Sequence, residues 1–243
     1  MSNIFCNFVG FLSFRGAKGG LLGVRIGRIR RNLISADLTD RTDTKIKMVA
    51  REMQQANLYI IAGPNGAGKT TASFGLLPNV LRCPNFVNAD EIARGLSPFE
   101  PSAVAVQAGR IMLQRIDELL LQHADLAIET TLATRSYVRL VRRAQELGYR
   151  VQLLFFYLES EEHAIERVAQ RVSNGGHDIP EADIRRRFKR GIYNLLKLYL
   201  PICDSTLVFN NTHGEAIFVA DHEISEDIVI YRKDMWNELT QLI

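Results

Sequence analysis

The chain has 243 residues, 47% hydrophobic and 23% charged, with a formal net charge of +3. That length and mix describe a globular domain able to bury a core without covalent staples. They exclude a collagen-like or low-complexity chain, and no apolar run approaches the roughly 20 residues of a membrane-spanning helix.

The charge is unevenly placed. Residues 1–47 hold nine Lys/Arg and three Asp (+6), while the rest hold 21 Lys/Arg and 24 Asp/Glu (−3). The alkaline balance therefore belongs to the first segment, and nucleic-acid binding does not follow from it. This segment opens MSNIFCNFVGFLSF, runs through a Gly/Arg-rich part to Arg31 and has no acid before Asp37. No Lys or Arg precedes the apolar stretch and no clean cleavage site follows it, which argues against a secretory signal. Residues 1–52 read as a basic, flexible and poorly ordered extension, with a transit peptide or a membrane-surface segment as the alternative. The main domain is assigned to residues 53–243. Cys6, Cys83 and Cys203 are too far apart for a paired metal site and odd in number, so a reducing, cytoplasmic setting is expected.

Leu58–Ala62 is a short apolar run that reads as a buried parallel strand. Gly63-Pro64-Asn65-Gly66-Ala67-Gly68-Lys69-Thr70 follows at once and fits GxxxxGK[ST] at every fixed position, which about one chain in a hundred of this length does by chance. It sits between that strand and a predicted helix over Thr71–Leu77, the context the motif requires. Glycines let successive N–H groups turn toward phosphate oxygens, and the helix N-terminus adds positive potential. Lys69 then reaches the β/γ-phosphates of ATP, and Thr70 supplies a ligand to Mg²⁺, with Thr71 beside it.

Strand and helix patterns alternate from there: strand Phe86–Asn88, helix Pro101–Gln122, strand Leu126–Ile128, helix Tyr137–Leu147 closed by Gly148, and strand Val151–Leu158. A helix capped by Ser160 runs to about Val172. A Gly-rich break over 173–180 is followed by helix Glu181–Leu200 and strand Ser205–Phe209. Two strand-like pieces and a helix bearing Trp236 close the chain as an edge hairpin with a covering helix. Strands separated by helices after a P-loop predict an α/β P-loop NTPase or kinase fold, a parallel sheet flanked by helices with ligands at the carboxyl ends of its strands.

Those ends carry acids. Asp90 suits a base that takes a proton from an acceptor hydroxyl, or a water-mediated Mg²⁺ contact, and suits equally a helix N-cap. Glu129 and Thr131 suit hydrogen bonds to substrate hydroxyls, and suit helix capping as well. Around the Gly-rich break, Arg167 and Arg171 share a helix face, and Arg185, Arg186, Arg187, Lys189 and Arg190 crowd the next helix. A lid arginine would neutralise charge on a transferring phosphoryl group, and Arg167 with Arg186 or Arg187 are the candidates. The plainer reading is a solvated basic face.

The runs GPNGAGKTT, FVNADEIARGL, ETTLATRSY and the stretch from GYRVQLLFFYLESEE through GGHDIPEADIRRRF together resemble the zeta-toxin-like P-loop kinases, over about Asn57 to Asn211. The GGHDIPEADIRRRF version resembles a chromosomal branch often labelled only as predicted ATPases. In that family ATP phosphorylates a hydroxyl of UDP-N-acetylglucosamine, and a protein antitoxin blocks the toxin. The resemblance implies that Lys69 binds the ATP phosphates and Thr70 the magnesium, that Asp90 is the general base, that Glu129 and Thr131 hold the sugar nucleotide, and that Arg167 is a catalytic arginine. It also implies, more weakly, that Asn211 packs near the adenine. A second lid arginine has no clear counterpart, since His177 or Arg185–Arg187 occupies its region. The expected function is an ATP-dependent kinase of a small hydroxylated acceptor. The competing readings are a P-loop ATPase without such an acceptor, and a nucleic-acid kinase or nucleotide-dependent binding protein. The acidic main domain disfavours nucleic acid.

Overall fold

The computed structural model describes residues 55–176 and 178–243, so the readings of the N-terminal extension and of His177 lie outside the described residues. The chain enters the sheet through β1 (Asn57–Ala62), whose apolar side chains are almost wholly buried. It continues through α1 (Lys69–Leu76), β2 (Asn85–Val87), α2 (Ala89–Leu96), α3 (Ala105–Leu121), β3 (Leu126–Thr130), α4 (Tyr137–Glu146) and β4 (Arg150–Tyr157). Then come α5 (Glu161–Ser173), α6 (Glu181–Asn194), β5 (Ser205–Asn210), β6 (Ile217–Glu223), β7 (Val229–Ile230) and α7 (Lys233–Gln241).

The strands form one seven-stranded sheet in the order β2-β3-β1-β4-β5-β6-β7. The first five run parallel, and β6 and β7 add an antiparallel edge. Parallel strands buried on both faces need continuous apolar runs, and β1 and β4 supply them. An aromatic file crosses the antiparallel end: Phe156, Phe209, Phe218 and Tyr231 follow one another at centroid distances of 5.1, 5.4 and 5.0 Å. Each such pair contributes about 0.5–1.5 kcal/mol beyond its buried area. The terminal helix is anchored where the Tyr157 hydroxyl donates to the Met235 carbonyl at 3.0 Å, so the closing hairpin and its covering helix are as the sequence predicts.

The element boundaries depart from the sequence reading in instructive ways. Helix α1 begins at Lys69, because Gly68 takes the left-handed conformation (φ 77°) and serves as its N-cap. Strand β2 stops at Val87, because Asn88 turns to cap α2. The segment from Pro101 opens as a 3₁₀ turn before α3, and α6 passes into a π-turn over Leu195–Tyr199 ahead of Pro201. Ser160 caps α5 as expected, accepting from the His163 N–H at 3.1 Å. Among the described residues no helix is long and apolar enough to cross a membrane. Burial pushes the thiols of Cys83 and Cys203 up to about 12, so neither is a nucleophile near neutral pH.

Parallel register places the functional loops together. Val87 pairs with Ile128, and Ala62 with both Thr130 and Phe155, so the residues following β2, β3, β1 and β4 emerge along one edge. Gly63 is indispensable there, because a Cβ on it would lie 1.9 Å from the Phe156 carbonyl oxygen. Gly148 also has a positive φ (83°), but a Cβ on it would meet nothing within 4 Å. Gly148→Ala is therefore expected to cost about 1–2 kcal/mol of stability, the steric price of a left-handed alanine. Gly63→Ala is expected to cost more than about 4 kcal/mol, because two backbones must part. Urea unfolding of both variants checks the ranking, and equal losses would contradict it.

Candidate active site

The P-loop turns back on itself between β1 and α1. The Gly63 N–H donates to Thr130 O at 3.3 Å and the Ala67 N–H to Pro64 O at 3.2 Å. Gly66 and Gly68 have φ of 79° and 77°, the left-handed geometry that lets consecutive N–H groups face one anion. Asn211, after β5, supports the loop from outside by donating from Nδ2 to Ala67 O at 2.8 Å. A Cβ on Gly68 would come within 2.7 Å of that same Nδ2. Pro64, Asn65 and Ala67 are buried, Gly66 is half-buried, and Thr71 is exposed on the first turn of α1.

Lys69 is buried, and its ammonium donates to Pro64 O at 2.9 Å. Burial pulls it below the ordinary lysine value, and the negative fields of Glu129 and Asp90 oppose that pull. The guanidinium groups of Arg171 and Arg187 act in the same direction as burial. Thr70 Oγ1 lies 3.0 and 2.9 Å from the two carboxylate oxygens of Glu129 and donates to them. Asn88 Nδ2 donates to Glu129 Oε2 at 2.9 Å. Burial raises Glu129 above the ordinary glutamate value, while Lys69 and the Thr70 hydroxyl work against that rise. A P-loop hydroxyl facing a carboxylate at the end of the neighbouring strand is a pair of hard oxygen donors, the donor set that suits Mg²⁺.

The structure separates the two sequence readings of Asp90. Asn88 is the N-cap of α2: its Oδ1 accepts from the N–H groups of Asp90 (2.8 Å) and Glu91 (3.4 Å). Asp90 therefore does not cap; it lies exposed in the first turn, near enough to Lys69 for its charge to be felt there. Thr131 is half-buried just beyond β3, where its carbonyl oxygen faces Gly191 of α6 so closely that a Cβ there would stand 2.6 Å away. Capping is thus done by Asn88 and Ser160, and neither Glu129 nor Thr131 starts a helix.

The arginines sort themselves. Arg167 donates from Nη1 to Gly66 O at 3.2 Å and Asn211 O at 2.8 Å, bracing the P-loop against the segment after β5. Arg187 and Arg171 lie near enough to Lys69 for their charges to be felt there, and Arg187 also meets Asp183 at 3.7 Å. Arg186 is exposed and pairs with Asp183 at 2.7 Å, and Arg185 bridges Glu161, Glu162 and Glu181 on the outside of the α5–α6 hairpin. The structure thus brings Lys69, Thr70, Asp90, Glu129 and Arg187 into one crevice, puts Arg167 against its wall and leaves Arg186 facing away. Sequence reasoning passed over Asn88 and did not single out Arg171. An asparagine followed by Asp90 and Glu91 in the first helical turn was a legible cap signal. Arg171 was visible only as the i+4 neighbour of Arg167.

A parallel sheet whose first strand runs through this loop into α1, with acids at the adjoining strand ends, defines the P-loop kinase fold. The chain belongs to the zeta toxin family, whose model matches residues 39–222. A chain of the AvrRxo1-ORF1:AvrRxo1-ORF2 complex superposes with a TM-score of 0.64 at 17% identity, covering 80% of this chain and 66% of that one. That complex has also been solved with ATP. A chain of the PezAT chromosomal toxin-antitoxin system of Streptococcus pneumoniae gives a TM-score of 0.55 at 18% identity, covering 85% of this chain and 90% of that one. An uncharacterized protein of Haemophilus influenzae is 28% identical over 137 residues, 56% of this chain and 95% of that protein.

Two outcomes are expected. Asn88→Ala costs about 1–2 kcal/mol in urea unfolding because it removes a cap, whereas Asp90→Asn stays within about 0.5 kcal/mol of the parent. Glu129 holds its proton more firmly folded than unfolded, so its contribution to stability falls as pH rises above 4.5. In Glu129→Gln that loss is absent, and Lys69, stripped of its partner, sheds its proton more readily in the fold. The melting temperature of Glu129→Gln relative to the parent should thus climb from about pH 5 to about pH 8. A constant difference would contradict a Glu129 carboxyl whose proton affinity is raised in the fold.

Proposed function

We propose that this protein is an ATP-dependent phosphotransferase that phosphorylates a hydroxyl of a small acceptor, with UDP-N-acetylglucosamine the first candidate. The observation that carries the reading is Asp90: an exposed carboxylate, relieved of capping by Asn88, close to a P-loop lysine and beside the Thr70–Glu129 pair.

In this reading backbone N–H groups of the loop between Gly63 and Thr71, with the ammonium of Lys69, hold the ATP phosphates. Thr70 and Glu129 would hold Mg²⁺, which would supply charge neutralisation at the phosphates. Asp90 orients the acceptor hydroxyl and takes its proton. Thr131, on the loop after Glu129, contacts the acceptor. Arg187 and Arg171 neutralise charge on the transferring group, and Arg167 keeps the P-loop and the Asn211 segment in register. The toxin-antitoxin setting of the PezAT relative supports a separately encoded protein antitoxin as a partner.

The test is transfer from γ-labelled ATP with Mg²⁺, offering UDP-N-acetylglucosamine, other sugar nucleotides, nucleosides and short RNA in parallel. Labelled sugar nucleotide is expected, with kcat reduced about 10²–10⁴-fold in Asp90→Asn and in Lys69→Ala. Arg187→Ala is expected to lose about 100-fold or more, and Arg186→Ala to stay within about threefold, because its ion pair is exposed. Release of inorganic phosphate alone, unaffected by Asp90→Asn, would overturn the acceptor site.

A further inference from the structure

Helix α6 meets the loop after β3 along one flank. Gly191 lies against the Thr131 carbonyl oxygen, where a Cβ would stand 2.6 Å away, and Asn194 donates from Nδ2 to Leu132 O at 2.8 Å. Arg187, Gly191 and Asn194 stand at i, i+4 and i+7 and therefore share that flank. The contacts follow the loop in order, so the same flank one turn earlier reaches toward its Glu129 end. Arg187 stands there: its charge is felt at Lys69, and Asp183 meets it only at 3.7 Å.

The opposite flank carries Arg185 and Lys189, again four residues apart. Arg185 Nη1 lies 3.0 Å from Glu161 Oε2 and 2.9 Å from Glu162 Oε1, and its Nη2 lies 2.8 Å from Glu181 Oε1. Lys189 Nζ lies 3.1 Å from the other oxygen of Glu161. Glu161 thus bridges two cations with separate oxygens, and its side chain is only 13% exposed, so solvent screens it less than an ordinary surface pair. Isolated exposed pairs contribute little, but here several cations and acids share one covered carboxylate. Glu161 and Glu162 open α5 directly after its Ser160 cap, and α5 is braced on the P-loop through Arg167. The clasp therefore ties α6 to the frame that also holds the phosphate loop.

Between the two flanks Ile184, Phe188 and Ile192 are buried. Apolar burial is non-directional and holds α6 down without setting its roll about its own axis. That roll decides where a guanidinium several bonds from the backbone comes to rest, and directional contacts are what set it. The grip on Thr131 and Leu132 begins only at Gly191. Ahead of Arg187, among the described residues, the ion pairs that link α6 to another helix are those of Arg185.

We propose that Arg185 is a positioning residue: its clasp on Glu161, Glu162 and Glu181 sets the roll of α6 and so holds the Arg187 guanidinium at the terminal phosphate of bound ATP. The assignment rests on the phosphotransferase reading above and adds to it a residue that touches neither nucleotide nor acceptor.

The test is equilibrium binding of nucleotides with and without a third phosphate, which depends on neither turnover nor acceptor. A non-hydrolysable ATP analogue and ADP, each with Mg²⁺, are titrated into the parent, Arg185→Gln, Glu161→Gln, Arg187→Gln and the double variant Arg185→Gln/Arg187→Gln. Preference for the triphosphate is expected to fall about tenfold in Arg187→Gln and about fivefold in Arg185→Gln and Glu161→Gln, with ADP affinity held within about twofold. The double variant is expected to show no lower a preference than Arg187→Gln alone, because Arg185 acts through Arg187. An unchanged preference in Arg185→Gln would overturn the proposal, as would the same loss appearing on top of Arg187→Gln. A clasp that serves stability alone would lower the melting temperature and weaken both nucleotides alike, which would overturn it too. If labelled transfer to every acceptor fails while these preferences hold, the phosphotransferase reading falls and the clasp stands.

Discussion

Glu129 is the half-buried carboxylate on which the crevice turns. It lies at the end of β3, where the register Ile61↔Glu129 puts it beside β1, and it accepts from Thr70 of α1 and Asn88 ahead of α2. Three elements that are distant in sequence are thereby tied to one side chain. Removing the carboxylate from water raises its proton affinity, and the ammonium of Lys69 offsets that effect. The dependence is mutual: Glu129 and Asp90 oppose the loss of charge that burial favours at Lys69, and Lys69 with the Thr70 hydroxyl opposes the protonation that burial favours at Glu129. Asn88 serves twice, since Oδ1 caps α2 while Nδ2 holds Glu129. The same residue that frees Asp90 from capping therefore also fixes the acid beside it.

A second constraint comes from α6. Its Gly191 lies against Thr131 O, its Asn194 holds Leu132 O, and beyond its end the Tyr199 hydroxyl donates to Thr134 O at 2.7 Å. One helix thus grips the loop after β3 along its length and, one turn before Gly191, carries Arg187, whose charge is felt at Lys69. The left-handed Leu132 is tolerated because both sides of its peptide are bonded, and strain held by surrounding structure is common at functional loops. Positioning by a helix gives that loop a more fixed place than an unsupported turn would have.

Much of this was legible in the sequence, and for physical reasons. GPNGAGKT between an apolar run and a helix permits few structures, and the apolar continuity of VQLLFFY marks a strand buried on both faces. The rule that ligands gather at carboxyl strand ends led directly to Asp90 and Glu129. What the sequence hid depends on side-chain direction. Asn88 or Asp90 are both good caps by residue type, and only the turn after Val87 decides between them. Arg167 and Arg171 share one helix face, yet one braces the P-loop and the charge of the other is felt at Lys69, a distinction set by how α5 meets the loop. The charge run from Arg185 to Arg190 looks uniform in sequence, but the neighbouring acids Glu161, Glu162, Glu181 and Asp183 pair with Arg185, Arg186, Lys189 and, at 3.7 Å, Arg187.

The claim that Thr70 and Glu129 act as one unit in holding Mg²⁺ and nucleotide is tested most directly by a double-mutant cycle on Mg²⁺·ATP affinity. The cycle uses Thr70→Val, Glu129→Gln and the pair together. The account predicts strong coupling: the double variant binds little worse than the weaker single variant, with an interaction energy within the usual range of about 0.5–3 kcal/mol for residues in contact. Losses that add within about 0.3 kcal/mol would mean the two groups act separately, and the shared site would be wrong.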